Sequence, residues 1–528
     1  MLRAVPLLAV VVAAVFHVSP VLAAETISAA AIDATVARTM KTFKVPGIAV
    51  AVVKDDKVVY SKGQGVASLE SGQAVDQHTL FGIASNSKAF VSAALAILVE
   101  EKKIRWDDKV TDLIPEFKMY DPYVTAEFTV EDLLTHRSGL GLGAGDLMLF
   151  PEGVDFTRAD IIRKLRFLKP VSSFRSKFDY DNLLYIVAGE VVARVSGMSW
   201  EAFVEQRIMG PLGMHESAAS LVRAPKAAPT AMPHAAIDGG AVRQIDPDRG
   251  EVANAAGGIV SNLEDMSKWL RVQLNGGALG DGKQLFSGQS QAKMWSAHTI
   301  LPAPSKPPFN NLFSAYGLGW FLHDANGYKV VSHTGGLAGM VTQVVLVPKL
   351  KLGIVVLTNQ QEGDAFQAIS LTILDRYLGV APTDRVAERR ARLDEQVAAA
   401  TRESAAARRA MVAPAGGPAP DPAMFAGVYR DPWFGDVTLT KADGKLLFAA
   451  RRSPKLSGEM RYYQANTYIV QWQDRSLDAD AYVSFTLDID GKPSRMTMAP
   501  VSPMTDFSFD FQDLDFQPVK PTATNGGQ

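Results

Sequence analysis

The 528-residue sequence contains no cysteine. That excludes disulfides, iron–sulfur clusters, thiolate zinc sites, a cysteine nucleophile and a lipid-modified N-terminal cysteine. It leaves the compartment open, because a large core needs no disulfide staples even in an oxidising space. A surplus of either charge is missing too, with 54 Lys and Arg against 56 Asp and Glu and a net charge of −2. This argues against nucleic acid as the main partner, since neutralising phosphates takes a basic surplus or stripe. Beyond the first residues no stretch approaches about 18 uninterrupted apolar residues, so no stable membrane insertion of the mature chain is expected. There is no Gly-x-Ser-x-Gly elbow, no His-Glu-x-x-His pair, and the eight histidines are too scattered to suggest a metal site. Neither a cofactor nor a metal is expected.

What is present begins with a leader. Arg3 is a lone positive residue, Ala4 to Phe16 is an apolar run, Pro20 breaks it, and Val21-Leu22-Ala23 ends on small residues. This is the pattern of a secretory signal peptide, residues 1–23, with cleavage expected after Ala23 and a periplasmic or secreted product. The length then predicts more than one folding unit. A helix is expected from about Ile27 to Lys44. Strands follow at Gly47 to Val53 and Val58 to Gln64, joined by the turn Lys54-Asp55-Asp56. Apolar spacing is helical from Ser85 to Glu101. The middle, to about Gly280, alternates helical segments with Gly/Pro-rich loops. Strand character returns at Lys329 to Ser332, Met340 to Val347 and Leu352 to Thr358, before a helix from about Asp364 to Leu378. Two strands early, three late and helices between predict an antiparallel sheet built from both ends of a unit spanning 24–380. Residues 381–423 are a charged helix followed by a Pro/Gly/Ala-rich linker. Residues 424–518 are all strand and turn, a small antiparallel β domain whose aromatics Trp433, Tyr462, Tyr463 and Trp472 are assigned to its core. Residues 519–528 form a polar tail.

The chemistry starts at Ser85-Asn86-Ser87-Lys88. A serine hydroxyl is a weak nucleophile until something takes its proton. Three residues is nearly one helical turn, so Lys88 falls on the face of Ser85, within reach of its oxygen. A helix N-terminus there favours developing negative charge and lowers the pKa of Lys88. The same spacing recurs at Ser290 and Lys293, so by itself it is weak. Two further pieces add weight: Tyr180-Asp181-Asn182 is the only Tyr-x-Asn in the chain, and His333-Thr334-Gly335 is the only His/Lys-Thr-Gly. Gly139 to Asp146 superficially resembles a nucleotide loop. It lacks the closing Gly-Lys-Ser/Thr and is expected to be a flexible loop.

Serine-lysine, tyrosine-x-asparagine and cation-Thr-Gly, in that order, resemble the trio of the penicillin-recognising serine hydrolases. The chain is similar to the class C β-lactamase, D,D-carboxypeptidase and D-aminopeptidase superfamily over about residues 30 to 378. Satellite segments agree: Leu133 to Leu140, Pro211 to Met214, Gly257 to Ser261 and Tyr316 to Trp320. The resemblance implies an α+β, β-lactamase/transpeptidase-like fold, an antiparallel sheet flanked by helices plus an all-helical region, with the second domain a small β-barrel-like module. It implies that Ser85 forms an acyl-enzyme and that Lys88 and Tyr180 share the proton work, with the general base left open between them. Two neighbouring cations, Lys88 and a protonated His333, would favour the Tyr180 phenolate. The implied oxyanion hole is the N–H of Ser85 with that of Gly336, just after Thr334 and Gly335, and Asn182 would bind the substrate amide. His333 departs from the lysine of dedicated β-lactamases, which moves weight towards a peptidase acting on short peptides that can include D-residues. Asp181 departs from the usual serine and is read as a solvated acid at a helix start. His136 and Arg137 are assigned structural roles. A carboxylesterase or β-lactamase using the same site, and a non-turnover penicillin-binding or scaffolding module, are the competing readings. The expected partner is a small peptide, ester or lactam, and the β domain is a candidate for capping the cleft or for homo-oligomer assembly.

Overall fold

The computed structural model describes residues 26–520 apart from 281, 304–305, 307 and 413–419. The leader expected at residues 1–23, most of the Pro/Gly/Ala linker and the end of the polar tail lie outside the described residues.

The sheet is built from the two apolar runs nearest the ends of the first unit. Gly47–Lys54 and Leu352–Thr358 are buried on both faces, and they pair antiparallel with Ala51 opposite Val355. A strand hidden on both sides must be apolar at every position, which is why neither run alternates. The side-chain period of two still sorts them: Ile48, Val50 and Val52 enter one core, Ala49, Ala51 and Val53 the other. Eight strands complete the sheet in the order Lys57–Gly65, Gly47–Lys54, Leu352–Thr358, Met340–Val347, Tyr328–Leu337, Phe321–Ala325, Ser314–Tyr316, Thr299–Leu301. The last three were not expected. At three to five residues each they are too short to carry a periodic signal.

Helices Ala29–Phe43 and Gly363–Tyr377 cover one face through Ile32, Val36, Phe43, Ile369 and Ile373. The other face meets Leu263–Leu274 and the helical region, whose centre is the helix Lys88–Glu100 with eleven of its thirteen residues buried. A helix apolar all round belongs inside a large core. Among the described residues no single helix is long and apolar enough to cross a membrane.

The charged connector does not stand free. Arg385–Glu403 lies on the first unit through Val386 and Leu393, and Arg385 pairs with Asp375 at 2.7 Å with both side chains buried. Beyond it, eight strands from Gly427–Asp431 to Asp515–Pro518 close an antiparallel barrel, each pairing with the next and the last with the first. Trp433 and Trp472 are inside it, whereas Tyr462 and Tyr463 are only partly buried. The barrel presses on the first unit through aromatic contacts such as the tilted pair Phe156 and Phe434, 6.3 Å between ring centres, and through Arg452, which bonds Asp160 at 2.9 Å.

Candidate active site

Ser85 sits where a strand becomes a helix. Phe81–Gly82 pairs with Val260–Ser261, a single 3₁₀ turn spans Ala84–Ser87, and the helix begins at Lys88. Ala84 has φ +49°, a left-handed conformation costing an L-residue roughly 1–2 kcal/mol. Such strain persists where neighbours over-determine the backbone. Here Asn86 Nδ2 donates to Ile83 O (3.2 Å) and Thr342 Oγ1 (2.9 Å), and Ser87 Oγ accepts from Ile259 N–H (3.1 Å). Gly335 presses on the same turn, and a Cβ there would lie 2.2 Å from Ile83 O.

Lys88 is completely buried, and all three of its ammonium protons have acceptors: Ser85 Oγ at 3.0 Å, Asn182 Oδ1 at 2.7 Å and Ala256 O at 2.8 Å. Burial pushes its pKa down to about 7, against the opposing fields of Asp146 and Asp181. Tyr180 lies over Lys88, with Nζ 4.8 Å from the ring centre, and its phenol meets the Ser85 hydroxyl. Its pKa is pushed well above the usual phenol range, first by burial and further by Tyr185, Asp146 and Asp181. The expected phenolate is therefore corrected to a phenol.

His333 is also corrected. It is buried, Tyr316 Oη lies 3.0 Å from Nε2, and Thr334 O lies 2.6 Å from Nδ1. Burial, reinforced by Lys88, pushes its pKa down to about 3, so it is a neutral imidazole and not a second cation. Asp181, expected to be solvated, is fully buried, accepting from Leu184 N–H and Ser138 Oγ at 3.3 Å each. Asn182 occupies the predicted place and is fixed from behind by Asp146, whose Oδ2 accepts its Nδ2 at 2.7 Å. Thr334 and Gly336 line the same cleft as Ser85, and the space where a Gly336 Cβ would stand is open. His136 packs its ring 4.1 Å from that of Tyr180, and Arg137 bonds His298 O at 2.9 Å. Ser290 and Lys293 are elsewhere, bonded to Glu100 and Glu131.

The cleft, about 340 Å³, is walled by Leu149, Phe150, Phe178, Phe321, Leu337 and Phe507. Arg249, exposed at its rim, is the one Lys or Arg among its described lining residues. Sequence reasoning gave no site role to Asp146 or Tyr316, which it placed in a loop and a satellite segment, and it missed Phe507 and Ser508. The loop Gly139–Asp146, expected to be flexible, is mostly buried and places Asp146 behind Asn182. The apolar Leu147-Met148-Leu149 that follows it was the available signal. No signal in the barrel's sequence marks residues 507 and 508. Among the described residues no cluster of His, Asp and Glu suits a metal.

Residues 32–376 match the beta-lactamase family model, and residues 414–518 match a domain of unknown function, DUF3471. An unguisins hydrolase of Aspergillus violaceofuscus (strain CBS 115571) is 30% identical over 434 residues, 77% of this chain and 76% of the relative. Penicillin-binding protein 4 of Amycolatopsis lactamdurans is 26% identical over 322 residues, 60% of this chain and 81% of its own. In fold, the chain is similar to an octameric penicillin-binding protein homologue from Pyrococcus abyssi, with a TM-score of 0.60 at 20% identity, covering 93% of this chain and 100% of that one.

Proposed function

The chain belongs to the beta-lactamase family, and from that premise we propose that it hydrolyses amide bonds of short peptides by acylating Ser85. The observation that carries the reading is the buried Lys88 amine, 3.0 Å from Ser85 Oγ and with a pKa of about 7. An amine half-neutral at neutral pH is suited to accept the serine proton. Tyr180, held as a phenol, serves as a relay between Ser85, Lys88 and the leaving group rather than as the first acceptor. Ser85 Oγ attacks the carbonyl carbon as its proton passes to Lys88, and the N–H groups of Ser85 and Gly336 receive the oxyanion. Collapse breaks the C–N bond, the departing amine takes the proton, and water hydrolyses the ester by the reverse route. Asn182 retains one N–H and one lone pair for the substrate amide.

The substrate class follows from charge. With His333 neutral, the strand beside Ser85 offers no cation to a substrate carboxylate, Lys88 is committed to Ser85, Asn182 and Ala256, and Arg249 stands exposed at the rim. The apolar walls favour uncharged residues on either side. This supports cleavage within short peptides, D-residues included, over removal of a terminal residue or hydrolysis of an anionic lactam. A relative named an unguisins hydrolase accords with an amide-cleaving role. Residues 1–23 direct the enzyme out of the cytoplasm.

The test is a panel of blocked and free short peptides, short esters and nitrocefin, with the exported full chain whose mature N-terminus is expected at Ala24. Wild type is expected to prefer blocked apolar peptides and to be labelled by a fluorophosphonate, and Ser85→Ala to lose at least a thousandfold of both. A preference for nitrocefin, or undiminished labelling of S85A, overturns the reading.

A further inference from the structure

The loop 501–514 belongs to the barrel, yet it ends against the support of the nucleophile. Ser508 Oγ donates to Asp146 Oδ2 at 3.0 Å, and the same oxygen accepts from Asn182 Nδ2 at 2.7 Å. Asn182 Oδ1 accepts from Lys88 Nζ at 2.7 Å, and Nζ reaches Ser85 Oγ at 3.0 Å. Four hydrogen bonds thus connect the barrel to the nucleophile. Asp146 is completely buried and its Oδ1 has no partner among the described residues, so Ser508 and Asn182, both on Oδ2, are its side-chain donors. The loop is fixed in place by the backbone. Gly145 N–H bonds Asp510 Oδ2 at 2.5 Å, and Gly143, at φ +71°, lies so close that a Cβ would fall 2.5 Å from Phe507 O. Phe507 itself sets its ring edge against Tyr180, 5.9 Å between centres.

We propose that Ser508 is a positioning residue for the Ser85–Lys88 pair, acting through Asp146 and Asn182, so that the barrel controls the charge Lys88 carries. The proposal rests on the hydrolase reading of the same site. Lys88 faces Asp146, Asp181, the rings of Tyr180 and Tyr185, and the neutral His136 and His333. Asp146 faces Lys88, Asp181 and Asp510, and Asp510 faces Asp513. Burial pushes the Asp146 pKa up to about 8, so near neutrality it lies close to its own midpoint. A hydrogen bond from Ser508 favours its carboxylate form, and that form holds the proton on Lys88. Removing the hydroxyl weakens that field, so Lys88 releases its proton at lower pH.

The experiment titrates Lys88 directly by NMR in the full chain labelled with ¹³C at lysine Cε, its signal assigned with Lys88→Met. In Ser508→Ala the midpoint is expected to fall by about half a pH unit, a roughly threefold change in proton affinity. Ser508→Thr, which keeps the hydroxyl, is expected to restore it, and Ser502→Ala, on the same loop, to leave it unmoved. Should S508A not fold, Asp146→Asn removes the ionisable carboxyl itself and is expected to lower the midpoint at least as far. A midpoint unmoved in S508A or in D146N, or one moved equally by S502A, overturns the proposal. Fluorophosphonate added to the same samples separates the two readings. A wild type that does not label defeats the hydrolase, while the titration still decides the relay.

Discussion

At the level of single residues, burial outweighs neighbouring charge throughout the site. Lys88 has two carboxyl groups in its field and still loses affinity for its proton, because a buried ammonium has lost its water. The same desolvation keeps Tyr180 a phenol and His333 an imidazole. The pH dependence follows with its sign. Acylation of Ser85 rises with pH as Lys88 becomes neutral, through about 7, and below that falls about tenfold per unit. His333, already neutral above about pH 4, contributes no limb. His333→Gln, whose amide oxygen can still accept from Tyr316, is therefore expected to reduce the rate about tenfold at most while the limb stays near pH 7. Stopped-flow labelling from pH 5 to 9 checks this, and loss of that limb in H333Q would show that the histidine titrates. Ser85, Lys88, Tyr180, Asn182 and His333 were legible because residue type and order carry them. Their charge states were not, since those depend on burial set by the whole core. Asp146 and Ser508 stand 362 positions apart and share one hydrogen bond, a contact that no local pattern encodes.

Among the elements, the active site depends on how closely the strand Tyr328–Leu337 approaches the turn that carries Ser85. Gly335 permits that approach. A methyl group there would stand 2.2 Å from Ile83 O, 2.6 Å from Thr342 Oγ1 and 2.9 Å from Ala84 Cβ, atoms already committed to holding the strained turn. Gly335→Ala must push the strand away, and overpacking of this kind costs about 1–3 kcal/mol. We expect a lower melting temperature and a labelling rate reduced at least tenfold, because Thr334 and Gly336 move with the strand. Gly336→Ala is the control. Its Cβ enters open cleft, so stability should hold within about 0.5 kcal/mol. Equal melting losses in the two variants would show that the contact at Gly335 is not what fixes the turn. The long strands Met340–Val347 and Leu352–Thr358 were legible end to end because their apolar runs outlast any competing pattern. The three short strands from Thr299 to Ala325 take their conformation from pairing with neighbours, with Tyr316 opposite Phe321 and Leu322 opposite Val331. Tertiary pairing of that kind leaves little local signature.

For the whole molecule, the junction between the two units buries carboxyl groups as well as carrying ion pairs such as Arg452 with Asp160. Asp510 of the barrel meets Gly145 N–H from the first unit, with Asp146 and Asp513 close by. Burial, with Asp513 adding to it, pushes the Asp510 pKa up to about 10, and burial raises Asp146 to about 8. The sign follows from proton counting. In the unfolded chain Asp510 loses its proton near pH 4, whereas the folded chain keeps it to about 10. Between those values the folded state binds more protons, so this group's contribution to stability falls as pH rises. Other groups oppose it, including buried histidines below about pH 6.5 and Lys88 above about 7. The comparison must therefore isolate Asp510. Asp510→Asn retains an oxygen to accept the Gly145 N–H and has no proton to hold. The variant and the wild type are expected to melt together near pH 4, and the variant to melt progressively higher from pH 6 to 9. Scanning calorimetry of the full chain at each pH measures the difference directly. A difference that stays constant over that range would place the Asp510 proton outside the folding equilibrium and leave the junction held by its apolar contacts and by pairs such as Arg452 with Asp160.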